Sequence, residues 1–150
     1  MLFSGHAEGK LDPSGRIQIS SQFKNEPDKL TLVVFTDSDA GCVKIYTEEG
    51  NRKSQEQLYR NISDRLTFVS AIRKRNLHTN NMNVDAQGRG TLPAEAVDFL
   101  RKQGGQEGAM TLLYLGVMDH IEVYSADKSD EIDSAFGSAD LTADSLYIGD

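Results

Sequence analysis

The sequence predicts an α+β fold, mainly β: one small barrel built from two tandem β-turn-β-α-β-β units with a linking helical segment. Three observations carry this: an internal repeat, turn chemistry shared by both copies, and the shortness of each unit. LDPSGRIQIS (11–20) and VDAQGRGTLP (84–93) align at an offset of 73, which sets Leu11 with Val84, Asp12 with Asp85, Gly15 with Gly88, Arg16 with Arg89 and Ile19 with Leu92. VKIYT (43–47) and IEVYS (121–125) align at an offset of 78, with Tyr46 opposite Tyr124. Two matched blocks in the same order argue for duplication. A unit of ~45 residues buries little apolar surface by itself, so the two copies are expected to pair their sheets around one core.

The elements follow in order. HAEGKLD and RIQIS flank a Pro-Ser-Gly corner, the composition of a tight turn between strands. Pro13 presets φ at the first central position, and Gly15 can take φ > 0 at no steric cost. The second copy keeps Gly88 but has Ala86 in place of Pro13, so the glycine is what the bend needs. Asp12 and Asp85 suit a side chain that accepts hydrogen bonds from the turn's own backbone.

After each corner a short helix is expected. SSQFKNEP (20–27) supplies it in the first copy, with Ser20 or Ser21 as cap. In the second, Pro93 opens the helix, Ala94, Val97 and Leu100 recur at spacing three, and Gly104–Gly105 ends it. Apolar strands LTLVVFT (30–36) and MTLLYLGV (110–117) come next, then a turn and the paired Tyr-bearing strands. Between the copies, TEEG and QEQLYRNI read as an irregular helix weakened by Gly50. SDRLTFVSAIRKRNL then places Leu66, Val69 and Ile72 on one stripe, with Ser63 as cap. The resulting division is a first half (1–50), a linking helical segment (51–77), a second half (78–136) and an acidic tail (137–150) expected to be mobile.

Composition narrows the function classes. No apolar run reaches the ~18–20 residues of a membrane span, and the N-terminus lacks the pattern of a signal peptide. Cytoplasm is therefore the default expectation. Cys42 is a lone cysteine, and His6, His78 and His120 have no ligand spacing, so neither a disulfide nor a metal is expected. No phosphate loop or dinucleotide glycine signature is present, the Asp12 corner fits an aspartic protease badly, and Cys42 reads as a buried strand thiol. Neither an enzyme nor a small-molecule cofactor is expected. The net charge of −7 is uneven. Residues 126–150 hold seven acids and one base, which leaves residues 1–125 near neutral.

The candidate binding residues are therefore basic and local. Arg16 and Arg89 stand at the ends of the two corners, each a planar fork of donors suited to guanine O6/N7 or to phosphate. The alternative is an Asp–Arg pair that only holds the corner together. Arg73, Lys74 and Arg75 form the strongest basic cluster, at a helix C-terminus where cations favour the dipole. Lys10 shares a strand face with Asp12. Asp12, Gly15, Asp85 and Gly88 support the motif.

Taken together, the N-terminal strand, LDPSGRIQIS, the central basic helix, VDAQGRGTLP and IEVYS resemble the MraZ family, within the AbrB/SpoVT-like DNA-binding superfamily, over residues 1–136. The resemblance implies a swapped-hairpin AbrB-type, double-psi-like barrel, assembly into a homo-oligomeric ring, and nucleoid association. It also implies binding to double-stranded DNA at G-containing direct repeats, and regulation, usually repression, of the division and cell-wall gene cluster. By resemblance Asp12/Arg16 and Asp85/Arg89 are the motif positions, one pair per half. Where the family has a Lys before the motif Gly, this chain has Ser14 and Gln87. Several subunits showing the same pair of arginines would multiply a small electrostatic term per subunit. Two other readings stay open: a ring-forming interaction protein with weakened DNA binding, and an AbrB-fold antitoxin-like partner using residues 126–150.

Overall fold

Among the described residues, eight strands join in one antiparallel sheet in the order β1-β7-β8-β4-β3-β5-β6-β2, and the sheet curls into a nearly closed barrel. The strands are β1 His6–Leu11, β2 Arg16–Gln18, β3 Leu30–Asp37, β4 Cys42–Thr47, β5 Thr79–Val84, β6 Arg89–Thr91, β7 Met110–Val117 and β8 His120–Ser125. The helices are α1 Glu48–Asn61, α2 Arg65–Leu77, α3 Ala94–Gly104 and α4 Ser129–Ser134. This computed structural model describes residues 3–19 and 30–134. The helix expected at 20–27 and the tail at 137–150 lie outside the described residues.

The two copies interlock. β1 pairs with β7 and β5 with β3, so each copy's first strand lies against the other copy's third strand. β2 pairs with β6 and β4 with β8 across an internal two-fold: Arg16 faces Thr91 where Arg89 faces Gln18, and Val43 faces Val123 where Ile45 faces Ile121. Neither copy has a sheet of its own to close, which is how two short units come to share one core. Alternation places Leu11, Ile17, Val34, Val84, Leu112 and Val123 inside, all at most 2% exposed. The remaining gap between β1 and β2, the two ends of the order, is tied by their own corner, where Asp12 N donates to Arg16 O at 3.0 Å.

The shared core is filled unevenly. Gly9 faces Leu112 on β7, and a Cβ on Gly9 would run into the Tyr114 ring. The internal two-fold carries Gly9 onto Met82 and Tyr114 onto Val34. One half thus combines glycine with tyrosine where the other combines methionine with valine, and the bulk is exchanged between neighbours.

The two helical stretches expected in the linking segment form separate helices, parted at residues 62–64. Four other helical details need correcting. Gly50 does not weaken α1: it lies in a first turn capped by Thr47, whose Oγ1 accepts from Gly50 N at 2.9 Å. The cap of α2 is Asp64, which accepts from Thr67 N at 3.1 Å, and Ser63 lies outside the helix. Leu66 is 78% exposed, so the stripe of Leu66, Val69 and Ile72 does not face the barrel as one unit. In α3 the inward residues are Ala96 and Leu100, with Val97 half-buried and Ala94 exposed. That helix starts after Pro93 and ends at Gly105 as expected. Cys42 is fully buried in β4, and desolvation pushes its thiol pKa up to about 12.

Candidate nucleic-acid interface

Each corner is built from its own short sequence. In Asp12–Arg16 the turn closes with Gly15 N donating to Asp12 O at 3.0 Å, and in Asp85–Arg89 Gly88 N donates to Asp85 O at 2.9 Å. Both glycines have positive φ, +87° and +83°, as a type I turn followed by a one-residue bulge demands. The aspartates then lock the bend. Asp12 Oδ1 accepts from Ser14 N at 2.9 Å, Ser14 Oγ at 2.8 Å and Arg16 N at 2.8 Å. Asp85 Oδ1 accepts from Gln87 N and Arg89 N, both at 2.9 Å. These bonds, led by the one from the arginine's own backbone N–H, hold both carboxyls below the ordinary value of 3.8.

The second carboxylate oxygen faces the guanidinium, at 4.0 Å for Asp12–Arg16 and 3.5 Å for Asp85–Arg89. These are loose, solvated pairs: Arg16 and Arg89 keep 57% and 51% of their side chains exposed. Aspartate therefore aims the arginine without burying it.

The corners are also tied to each other. Ile19 N donates to Gly88 O at 2.6 Å, and the two-fold counterpart, Leu92 N, donates to Gly15 O at 2.9 Å. Along β2 and β6 only the middle residues, Ile17 and Gly90, point inward, so Arg16, Gln18, Arg89 and Thr91 share the outer face of a two-stranded ribbon. Arg16 and Arg89 line one open cleft of about 670 Å³ with Thr31, Asn83 and Thr91.

Two differences separate the corners. Arg89 Nη2 hydrogen-bonds Gln87 Oε1, whereas Ser14 spends its hydroxyl on Asp12 and leaves Arg16 free of it. Arg101 of α3 braces the first corner, with Nη1 bonded to Gly108 O and Nη2 donating to Asp12 O at 3.2 Å and Pro13 O at 3.3 Å. Arg101 lies 89 residues from Asp12, and nothing local in the sequence marks it. Gln18 was also not foreseen; its amide donates to Gln87 O at 2.6 Å across the ribbon.

The remaining basic candidates separate into two groups. Lys10 is exposed on the outer face of β1, beside the ribbon. Arg73, Lys74 and Arg75 sit on α2, away from the corner cleft, whose lining includes none of them. Arg73 is exposed, and Lys74 Nζ pairs with Asp39 at 2.9 Å. Arg75 turns inward: its guanidinium lies 5.0 Å from the Phe35 ring and 4.9 Å from the Tyr46 ring, and Nη2 donates to Asn51 at 3.0 Å. It fastens α2 to the barrel as a stacked cation. No helix among the described residues is long and apolar enough to cross a membrane.

Two interlocked copies, swapped strands and a pair of Asp-x-x-Gly-Arg corners on one ribbon define a barrel of the AbrB-like class. No family model matches the chain. Among curated proteins it is similar to the transcriptional regulator MraZ of Maridesulfovibrio salexigens, with 29% identity over 133 residues that cover 83% of this chain and 80% of that one. The similarity and the fold agree with the resemblance to the MraZ family read from the sequence.

Proposed function

We propose that the chain is a DNA-binding transcriptional regulator, not an enzyme, and that it grips duplex DNA through the β2–β6 ribbon. A two-stranded antiparallel ribbon fits the major groove, where an arginine fork pairs with guanine O6/N7. One observation carries the reading: both corner arginines lie on one outward face, aimed by aspartates that leave them half exposed. The name of the similar protein, a transcriptional regulator, agrees with it. The finer reading is a cytoplasmic, nucleoid-associated repressor of the division and cell-wall gene cluster, binding G-containing direct repeats as a ring of identical subunits. Lys10 adds a phosphate contact beside the ribbon, while Arg73 and Lys74 are further from it and contribute less. The second reading, a ring-forming interaction protein, draws on α2. Leu66 and Leu77 are 78% and 76% exposed and lie three turns apart, on the same side of α2 as Arg73. An apolar edge of that kind suits contact with another copy.

The test is a mobility-shift titration against the DNA upstream of the protein's own gene at two salt concentrations, with light scattering on the same samples. Wild type shifts a discrete fragment, and Arg16→Ala/Arg89→Ala abolishes the shift while the assembly keeps its mass. Wild-type binding by the double variant makes the corners structural. Assembly without any specific shift at low salt favours the interaction protein.

A further inference from the structure

The internal two-fold of the ribbon creates a difficulty. If both arginines were equivalent, the ribbon would sit equally well on DNA in either direction, and a subunit could not distinguish a direct repeat from an inverted one. Something on the outer face must break the symmetry. Strand register shows what does.

Two rows of side chains cross the face. In the first, Thr31 of β3 faces Asn83 of β5, and Thr91 of β6 faces Arg16 of β2. Val84 faces Gly90, so the same register continued by one residue sets Asn83 beside Thr91. In the second row, Thr111 of β7 faces Lys10 of β1, and Gln18 of β2 faces Arg89 of β6. The hairpin closed by Asp12 N to Arg16 O sets Lys10 beside Gln18. The two-fold maps one row onto the other, threonine onto threonine and arginine onto arginine. It fails at the two positions between them, where Asn83 and Thr91 answer Lys10 and Gln18.

The chemistry of the rows differs accordingly. The Arg89 row carries a second cation, Lys10, and its arginine is held by Gln87. The Arg16 row is neutral apart from Arg16. In it, Thr31 Oγ1 donates to Asn83 Oδ1 at 3.1 Å, which fixes the Asn83 amide, and Thr91 lines the open cleft beside Arg16. A point charge and a doubly held arginine suit phosphate; an arginine fork held only by its loose aspartate pair, beside an oriented amide, suits base edges.

We propose that the ribbon docks on duplex DNA in one direction only, with Arg16, Thr91 and Asn83 on the bases and Arg89, Gln18 and Lys10 on the phosphate backbone. Asn83 and Thr91 are then specificity-determining residues and Lys10 and Gln18 their backbone-binding counterparts. This rests on the DNA-binding reading above and adds polarity to it.

Directed cleavage tests it. Glu8→Cys puts a thiol on the exposed face two residues from Lys10, for coupling to an iron chelate; Cys42 is buried and stays unlabelled. The probe DNA is the tightest-binding duplex recovered from a randomised library by the full-length protein. Labelled Glu8→Cys should cut one flank of the site. Exchanging the rows in the same protein (K10N, Q18T, N83K and T91Q, all at exposed positions) should move the cut to the opposite flank. Equal cutting on both flanks, or a cut that does not move, overturns the proposal. Independently of that fold-bearing set, Lys10→Asn alone should reduce the slope of log affinity against log salt by about 0.9, while Asn83→Ala should leave the slope unchanged and relax base preference. Matching slope changes in the two variants overturn it as well. If no duplex is enriched from the library, the DNA-binding reading itself fails, an outcome distinct from binding without polarity.

Discussion

The two corners share a hydrogen-bond scheme and differ in what surrounds them. The first, Asp12–Arg16, is braced from behind by Arg101 and leaves its arginine only the loose pair with Asp12 in front. The second, Asp85–Arg89, has its arginine held by Gln87 and its glycine pressed against the other copy's backbone. Duplication thus preserved the bend, while the surroundings of each bend diverged. The aspartate and glycine of the motif shape the turn; its variable position, Ser14 or Gln87, and Arg101 from outside it set the surroundings of each corner.

The glycines should show the largest difference. A Cβ on Gly88 would lie 2.7 Å from Ile19 O, a backbone atom that cannot move aside, whereas on Gly15 it would lie 3.2 Å from the Val97 methyl. Both have positive φ. Gly15→Ala should therefore cost about 1–2 kcal/mol for the left-handed backbone alone, and Gly88→Ala more, about 3 kcal/mol. Urea denaturation of both variants checks the order, and equal costs would mean that the corners are packed alike.

The next effect lies in the core beneath them. Gly9→Ala forces a Cβ into the Tyr114 ring and should destabilise by about 1–3 kcal/mol. Tyr114→Val, which copies the residue at the equivalent place in the other half, should recover part of that loss. A double-mutant cycle measures the coupling, and strict additivity would show that the exchange of bulk between halves has no energetic content.

Smaller still is the brace. Arg101→Met should speed amide exchange at Ser14 and Gly15 while leaving Gln87 and Gly88 unchanged, as read by hydrogen exchange. Acidification should act on both corners alike. The Asp12 and Asp85 carboxyls titrate below 3.8, so the bonds they accept persist above the usual carboxylate range and are lost only as pH falls through these depressed values. The amide resonances of Arg16 and Arg89 should report midpoints below 3.8, and an ordinary midpoint in either would show that its aspartate does not cap the turn.

Much of this was legible in the sequence, for a physical reason. A tight turn depends on four or five adjacent residues, so Asp12, Gly15, Asp85 and Gly88 declare their roles locally. Strand positions followed from the turns and the apolar runs, and the repeat implied that the halves must share a core. What was not legible is long-range. Arg101 reaches Asp12 across 89 residues, and Arg75 looks like a solvated helix end until α2 is laid against Phe35 and Tyr46. Gly50 reads as weakening its helix, yet Thr47 caps the turn that contains it. The asymmetric rows lay half visible: the offset of 73 sets Lys10 against Asn83 and Gln18 against Thr91, but only the pairing of β2 with β6 shows that these positions share a face.

The most direct test of the central claim compares Arg16→Ala and Arg89→Ala on one selected duplex and on its base-scrambled counterpart, by fluorescence anisotropy across a salt series. Arg16→Ala should lose most of the preference for the selected duplex, about 1–3 kcal/mol for a lost bidentate base contact. Arg89→Ala should weaken both duplexes together and lower the salt slope by about 0.9. Wild-type affinity and preference in both variants would contradict the claim that these corners present arginine to DNA.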